Sequence, residues 1–335
     1  MKFAKLGQTD IRVSQVCVGA MSFGQPGSMH DWTLDYPQSK RVIQHALDLG
    51  INFFDTANVY SAGSSEEYLG RALKENHVAR DQVVLASKVY FNPGRLSRAA
   101  INREIDGTLQ RLGTDYLDLY IIHRFDYETP IEETMGALND LVVAGKVRAI
   151  GTSAMYGYQF ANLQQVAKDH GWASFQTMED HYNLLYREDE HELIPICRQQ
   201  GVSLMPYSPL AAGHLSHPDW QTDTLRSQTD RVAMGKYDRM ESADLRIVQQ
   251  VHQLAAGKGV AMAQIALAWQ WARGVTAPIV GSTKASHLDD AAAALDVHLT
   301  DAELASLEAP YVPHPIVGAI DHNPAAGTVL IDEKK

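Results

Sequence analysis

Four side chains could carry a proton-transfer reaction if the fold brings them together: Asp55, Tyr60, Lys88 and His123. A carbonyl that accepts hydride on carbon must receive a proton on oxygen. Tyrosine is a weak acid for that task, with an ordinary pKa of roughly 10. A neighbouring ammonium stabilises tyrosinate and lowers that value, and Lys88 can supply one. Asp55 can hold Lys88 charged and oriented, while His123 can donate to the carbonyl oxygen and polarise it. A general acid tuned toward the working pH is what the step needs. Each residue alone has a plainer reading. Asp55 could cap a turn, Lys88 could snorkel at a strand end, His123 could be a satisfied structural histidine and Tyr60 could pack a loop. Together they form one coherent set, and that coincidence outweighs the separate readings.

Asp55, Lys88 and His123 each fall near the end of a short apolar run, and Tyr60 follows Asp55 by five residues. Such runs predict strands at 16–20, 51–57, 83–90, 116–123, 147–153, 175–179, 202–210 and 277–281. Helical periodicity lies between them, at 38–49, after Ser64, and at 98–112, 129–145, 157–170 and 190–200. It resumes at 243–257, 262–273, 285–295 and 301–308. In the first of these, Val42, Ile43, Ala46, Leu47 and Leu49 share a face. Ser64 with Glu67 reads as a capping box, as does Thr129 with Glu132 around Pro130, and Gly145 reads as a helix stop. A hairpin opens the chain, Lys5-Leu6 against Ile11-Arg12, turning at Gln8-Thr9-Asp10.

Eight strand–helix repeats with short apolar strands predict an α/β fold, a closed parallel (β/α)8 TIM barrel, with residues 1–335 as one unit. An open doubly wound sheet would carry G-x-G-x-x-G after its first strand, and that pattern occurs nowhere here. In such a barrel the active site lies at the C-terminal ends of the strands, where all four candidates fall. Residues 212–240 read as a charged loop, and 310–335 as a tail over the barrel mouth.

The formal net charge of -11 argues against a nucleic-acid or anionic-membrane partner, while leaving room for a basic pocket holding one phosphate. The two cysteines, Cys17 and Cys197, sit in apolar runs and read as buried free thiols. No disulfide framework is available, which points to the cytoplasm. The N-terminus MKFAKLGQTDIRV has no apolar leader core, and no stretch has the ~18 apolar residues of a membrane span.

The run GINFFDTANVYSAGSSEEYLG at 50–70 closely resembles the aldo-keto reductase signature. The resemblance extends through LGQTDIRVS near the start, LGTDYLDLYIIHR at 112–124, GKVRAIGTS at 145–153, HYNLLYR at 181–187, YSPLAAG at 207–213 and PIVGSTK at 278–284. It looks most like the bacterial branch related to potassium-channel β subunits. The resemblance implies that Asp55, Tyr60, Lys88 and His123 are a catalytic tetrad and that an extended NADPH or NADP⁺ lies across the barrel mouth. It implies that Tyr207 stacks on nicotinamide and that Ser153 hydrogen-bonds the carboxamide. Ser208 and Leu210 would meet the pyrophosphate through their backbones, and Asp55 also borders the cofactor. Ser282, Thr283, Lys284 and His287 fall where the family grips the adenosine 2′-phosphate, and a cation with hydroxyls suits a phosphate. Two positions depart from the pattern. Ala154 stands where Asn or Ser is frequent, and Glu179 where Gln is usual, both at the carboxamide end. Gln176 lies at an odd offset and faces the other side of the strand. An ionised Glu179 would favour the cationic, oxidised ring over the neutral, reduced one.

The leading reading is therefore reduction of a small-molecule aldehyde or ketone by NADPH, with Tyr60 as proton donor. The alternative is a nicotinamide-nucleotide sensor or accessory subunit with little turnover. A metal-dependent barrel hydrolase would call for an H-x-H pair, and none of the fourteen histidines makes one; His214 and His217 in a loop are a poor substitute, so no metal site is expected. Trp32, Tyr90, Phe125, Tyr127 and Trp220 are candidates for an apolar substrate wall, each of which could equally pack a loop. No motif names the substrate or an oligomeric partner.

Overall fold

Apolar runs with few charges suit strands buried on both faces, which is the condition inside a ring of helices. The computed structural model, which describes residues 1–220, 225–237, 239–317 and 320, has this arrangement. A two-stranded antiparallel hairpin, β1 (Phe3–Lys5) and β2 (Arg12–Ser14), comes first. Strand–helix units follow: β3 (Cys17–Gly19) and α1 (Tyr36–Asp48), β4 (Phe53–Asp55) and α2 (Ser64–Glu75), β5 (Val84–Val89) and α3 (Arg98–Leu112). Next come β6 (Leu117–Ile122) and α4 (Ile131–Val143), β7 (Val147–Ser153) and α5 (Gly157–His170), β8 (Phe175–Glu179) and α6 (Leu193–Gln199). After β9 (Ser203–Leu204) come α7 (Leu225–Thr229), α8 (Arg231–Tyr237), α9 (Glu241–Lys258) and α10 (Met262–Ala272). Then β10 (Ile279–Gly281) is followed by α11 (Ser286–Ala293) and α12 (Asp301–Glu308). The larger sheet is parallel throughout in the order β10-β3-β4-β5-β6-β7-β8-β9. Its ends meet where Thr276 N–H donates to Leu204 C=O at 3.0 Å and Ile279 N–H to Pro206 C=O at 2.9 Å. This is the (β/α)8 barrel expected from the repeats.

The period-2 alternation of strand side chains divides the core in two. Outward residues such as Val18, Phe54, Leu85, Tyr120, Ile150 and Met178 pack against the helices. Inward residues, among them Cys17, Phe53, Ala86, Leu119, Ile121, Ala149 and Met205, form a separate cluster joined by Leu6, Ile11 and Val13 of the hairpin. The hairpin thus plugs the end of the barrel where strands begin, tied by Gly7 N–H to Ser203 Oγ (2.8 Å) and Ser14 N–H to Asn52 Oδ1 (2.7 Å). Space inside is tight enough that a Cβ on Gly151 would lie 2.2 Å from Thr177 Oγ1. Truncating a filler such as the fully buried Phe53 to alanine should cost about 3–5 kcal/mol.

Several local expectations are corrected. The cap of α1 is Asp35, in a capping box with Gln38, three residues before the start expected at 38. Gly63, at φ 94°, is the N-cap of α2, and the Ser64 hydroxyl donates to Ser61 C=O (2.7 Å) instead of capping. Thr129 donates to Asp126 Oδ2 (2.7 Å), so Pro130 occupies the N-cap of α4 without a side-chain bond. The seventh barrel strand is short because Pro206 offers no N–H to a ladder. Residues 212–240 contain α7 and α8 rather than loop alone. In the tail, His314 Nε2 lies 2.9 Å from Asp244 Oδ1 of α9, Val317 is buried, and Ile320 C=O accepts from Tyr156 Oη (2.7 Å) at the rim after β7. The tail from 321 onward lies outside the described residues. Among the described residues no helix is long and apolar enough to cross a membrane.

Candidate active site

The alternation that places Phe53, Ala86 and Ile121 inside the barrel also dictates what lies one layer higher. Two residues beyond each come Asp55, Lys88 and His123. The same count takes Gly151 to Ser153, Thr177 to Glu179 and Met205 to Tyr207, and Ser153 pairs with Glu179 in register. The C-terminal rim is therefore lined by polar side chains on an apolar floor. Backbone strain gathers there too. Of the non-glycine residues at positive φ, Ser61, Ala62, Arg95, Ala154, Ser208, Ala211 and Ala212 all lie in loops leaving strand C-terminal ends. Strain of this kind persists where surrounding structure over-determines it, and it clusters at functional sites.

Lys88 is the hub. Its fully buried ammonium donates to Asp55 Oδ2, to Thr56 C=O (2.9 Å) and to Tyr60 Oη (3.3 Å). It also lies 3.5 Å from Glu179 Oε2. The Tyr60 and His123 rings meet edge to face, with centroids 5.8 Å apart. The left-handed turn at Ser61 and Ala62 holds Tyr60 over the barrel. Lys88 is fixed from behind: Ser87 Oγ donates to Glu66 Oε1 (2.5 Å), and Arg111 Nε of α3 donates to Glu66 Oε2 (2.5 Å). These four side chains do converge on one rim, as the sequence suggests.

Burial opposes charge on every member of the set. It pushes Tyr60 up to about 12, further than Lys88 pulls it down, and the Asp55 and Glu179 carboxylates add to the rise. This reverses the net direction expected from the sequence, because burial of the hydroxyl outweighs the ammonium. Burial, opposed by Lys88, raises the Asp55 carboxyl. Lys88 is held above the ordinary lysine range: burial works against its charge, and Asp55 and Glu179 outweigh it. Burial, with Lys88 and Arg124 nearby, drives His123 well below the usual histidine range. His123 is thus a neutral imidazole at physiological pH, and its buried Nδ1 has no partner among the described residues. A neutral donor beside a tyrosine hydroxyl can polarise an oxygen placed between them.

On the opposite wall, Ser153 Oγ donates to Glu179 C=O (2.9 Å). Tyr207 stacks on His181 at 5.3 Å, and Lys236 of α8 sits over its ring at 4.7 Å. Ser208 (φ 53°) is fixed by Asn183 Nδ2 donating to its C=O at 2.9 Å, and partly buried Leu210 packs on the outer core. Buried Ser282, half-buried Thr283 and exposed Lys284 and His287 lie around the start of α11. The nearby carboxylates are engaged elsewhere, Asp289 with His45 (2.6 Å) and Asp290 with Gln264 (2.9 Å). Gln176 turns away from the mouth and accepts from Gln8 N–H (2.9 Å).

Of the five aromatic candidates, Trp32 is buried under the Arg226 guanidinium (4.5 Å) and stacked on His30 (4.5 Å). Phe125 and Tyr127 meet at 5.0 Å, and Gln159 donates to the Tyr127 hydroxyl (3.0 Å). Trp220 stacks on His214 at 4.0 Å. Tyr90 packs against Phe91 at 5.0 Å, and it is Phe91, passed over in the sequence, that meets His123 edge-on at 5.1 Å. Lys236 and Arg226 were also missed, since both lie in the segment read as loop. Arg124, next to His123, forms no ion pair among the described residues and lies close enough to disfavour charge on Lys236, which burial already lowers to about 8. A cavity of about 520 Å³ lies away from this site, between α6, α10 and α12. Its Arg187 and Arg273 are paired with Glu190 and Glu308, so it offers no reacting centre.

A buried tyrosine hydroxyl, a neutral imidazole and a buried ammonium thus meet on the rim of a (β/α)8 barrel. Residues 15–311 match the aldo/keto reductase family, and the chain belongs to it. It is 41% identical over 340 residues to a versiconal hemiacetal acetate reductase of Aspergillus parasiticus, covering 94% of this chain and 98% of the relative. An aldo-keto reductase of Alternaria alternata is 39% identical, covering 94% of this chain and 93% of its own. A putative aryl-alcohol dehydrogenase of Schizosaccharomyces pombe is also 39% identical, covering 94% and 97% respectively. The chain is an aldo-keto reductase, an oxidoreductase for which a nicotinamide cofactor and a small carbonyl substrate are the family's partners.

Proposed function

We propose that this enzyme reduces aldehydes or ketones with NADPH and that Tyr60 delivers the proton to the carbonyl oxygen. The observation that carries this reading is the buried Asp55–Lys88–Tyr60 chain with His123 beside it. A nicotinamide cofactor supplies hydride when bound. The residues present fit one: Glu179 Oε2 and His123 Nδ1 are buried polar atoms without hydrogen-bond partners among the described residues. Ser153, Glu179 and Tyr207 would hold the nicotinamide end, with Asp55 bordering it. Ser208 and Leu210 would hold the pyrophosphate, and Lys236 adds a cation there. Lys284, with Ser282, Thr283 and His287, would take the 2′-phosphate, which favours NADPH over NADH. Tyr60 acts as general acid, His123 orients and polarises the carbonyl, and Lys88, held by Asp55, places Tyr60.

We further propose an aromatic or other largely apolar carbonyl as substrate. Phe91 is exposed beside His123 and would meet its ring, with Trp32, Tyr90, Phe125, Tyr127 and Trp220 supporting the surrounding loops. The names of the relatives, which include proteins named as putative aryl-alcohol dehydrogenases, support that class. The combination of motifs from 6 to 284 supports a place in the bacterial branch related to potassium-channel β subunits. Two buried unpaired cysteines support a cytoplasmic location, and the acidic balance supports a protein without nucleic-acid partners. One barrel accounting for the whole chain is part of the same proposal. The test is a panel of aryl and alkyl aldehydes with NADPH, followed by cofactor absorbance. Nucleotide binding without turnover of any carbonyl would point to a sensor instead.

A further inference from the structure

We propose that Glu179 exchanges a proton with solvent in step with the cofactor's oxidation state, releasing it when the oxidised nucleotide binds and keeping it when the reduced one does. This rests on the reading above that the nicotinamide end lies between Ser153 and Tyr207.

The geometry sets up an excess of acid. Two inward carboxyls, Asp55 from β4 and Glu179 from β8, face one ammonium, Lys88 from β5. Lys88 commits its hydrogens to Asp55, Thr56 C=O and Tyr60 Oη. Glu179 stands 3.5 Å away, its side chain 4% exposed and its Oε2 without a hydrogen bond among the described residues. Full ionisation of both acids would leave one uncompensated buried negative charge, and burying such a charge is costly. One proton therefore stays, and it stays on the carboxyl with the weaker hold on Lys88. The other groups facing Glu179 are Tyr60, Cys17 of β3 and Arg124 after β6, while β9 and its extension contribute Met205 and Tyr207 with no charge. Burial first and Asp55 second push Glu179 up to about 8, against Lys88 and Arg124. At neutral pH the set is Asp55 ionised, Lys88 charged and Glu179 protonated.

A positive ring brought beside Glu179 reverses that balance. The carboxylic acid then dissociates to carboxylate and a proton, which leaves to solvent, and one negative charge meets one positive charge. The same residues give the proton a route during turnover. Lys88 Nζ lies 3.3 Å from Tyr60 Oη and 3.5 Å from Glu179 Oε2. Once Tyr60 has protonated the carbonyl oxygen, Lys88 can pass an N–H proton to the tyrosinate and take the carboxyl proton of Glu179. A glutamine at this position could hold a carboxamide but could neither store nor release that proton.

Calorimetric titration of NADP⁺ and of NADPH at pH 7, in two buffers of different ionisation enthalpy, counts the protons moved. The 2′-phosphate has a second ionisation near pH 6 and contributes alike to both nucleotides, so the difference between them is the readout. The wild-type protein should release up to about one proton more with NADP⁺ than with NADPH. The ratio of NADPH to NADP⁺ dissociation constants should rise by up to about tenfold per pH unit across neutrality, as one-proton linkage requires. In the near-isosteric E179Q the proton difference should vanish and the ratio should stay flat with pH. NADPH binding by E179Q serves as its check of folding. Equal proton counts for the two nucleotides in the wild type, or a difference that survives in E179Q, would overturn this inference alone. Failure of the wild type to bind either nucleotide would overturn it together with the cofactor reading.

Discussion

Replacing Lys88 with methionine removes the ammonium and leaves the shape of the side chain largely in place. Asp55, Thr56 C=O and Tyr60 Oη lose their donor, and Glu179 loses a charge 3.5 Å away. Asp55 is the ionised partner, and at an effective dielectric near 20 two unit charges ~4 Å apart attract by about 4 kcal/mol. Removing one partner of a buried pair typically costs about 3–5 kcal/mol, a large share of a domain's net ~5–15 kcal/mol. The two carboxyls have an escape, however, in taking up protons. Burial already raises both with the lysine present, and the variant raises them further. A carboxyl raised in the folded state binds more protons there than in the unfolded chain. Stability then falls as pH rises from the unfolded value near 4 toward the folded one. K88M should therefore melt near the wild type at pH 5 and fall increasingly behind it toward pH 8. Its kcat should drop by about 10²–10⁴ at every pH, as expected for a lost general acid–base function. Thermal or urea melts at pH 5, 6.5 and 8, with turnover on the same samples, measure both effects. A deficit independent of pH, or turnover close to the wild type, would refute the reasoning.

Lys284→Ala should weaken NADPH binding by about ten- to a hundred-fold while leaving NADH nearly unchanged, since a charge-assisted hydrogen bond is worth roughly 1.5–3 kcal/mol; paired fluorescence titrations decide it, and equal losses for both nucleotides would contradict the assignment. Because burial, Lys88 and Arg124 hold His123 well below the ordinary range, kcat/KM for carbonyl reduction should show no acid limb from imidazole protonation down through pH 6. A limb centred near 6.5 that disappears in His123→Asn would show instead that the imidazole titrates normally.

The parts of the fold written in local pattern were legible. Alternating strand and helix runs led to the barrel and to α12 at 301–308, which the structure begins with a Thr300–Glu303 capping box. Strand ends were enough to place Asp55, Lys88 and His123 on one rim, while Ser153 and Glu179 came from the family resemblance. Features set by contacts distant in sequence were not legible. Asp35 caps α1 ahead of any apolar residue that would mark a helix. Thr129 has the side chain of a cap but finds a better acceptor in Asp126. Segments 225–229 and 231–237 are too short and polar to show a helical period, so Arg226 over Trp32 and Lys236 over Tyr207 stayed hidden. The acidity of Tyr60 depends on burial, one ammonium and two carboxylates at once, and the sequence pattern brings out only the ammonium. The departure at Glu179 was visible as a residue type, but its 3.5 Å approach to Lys88 required the folded barrel.

In the proposed reaction Tyr60 gives the proton to the carbonyl oxygen. This step is tested most directly by comparing wild type and Tyr60→Phe in carbonyl-dependent oxidation of NADPH, with NADPH binding measured on the same preparations. Nucleotide affinity should be unchanged and kcat lower by about 10²–10⁴-fold, the usual worth of a positioned general acid. A variant that binds NADPH normally and turns over an aldehyde at near-wild-type kcat would contradict that assignment.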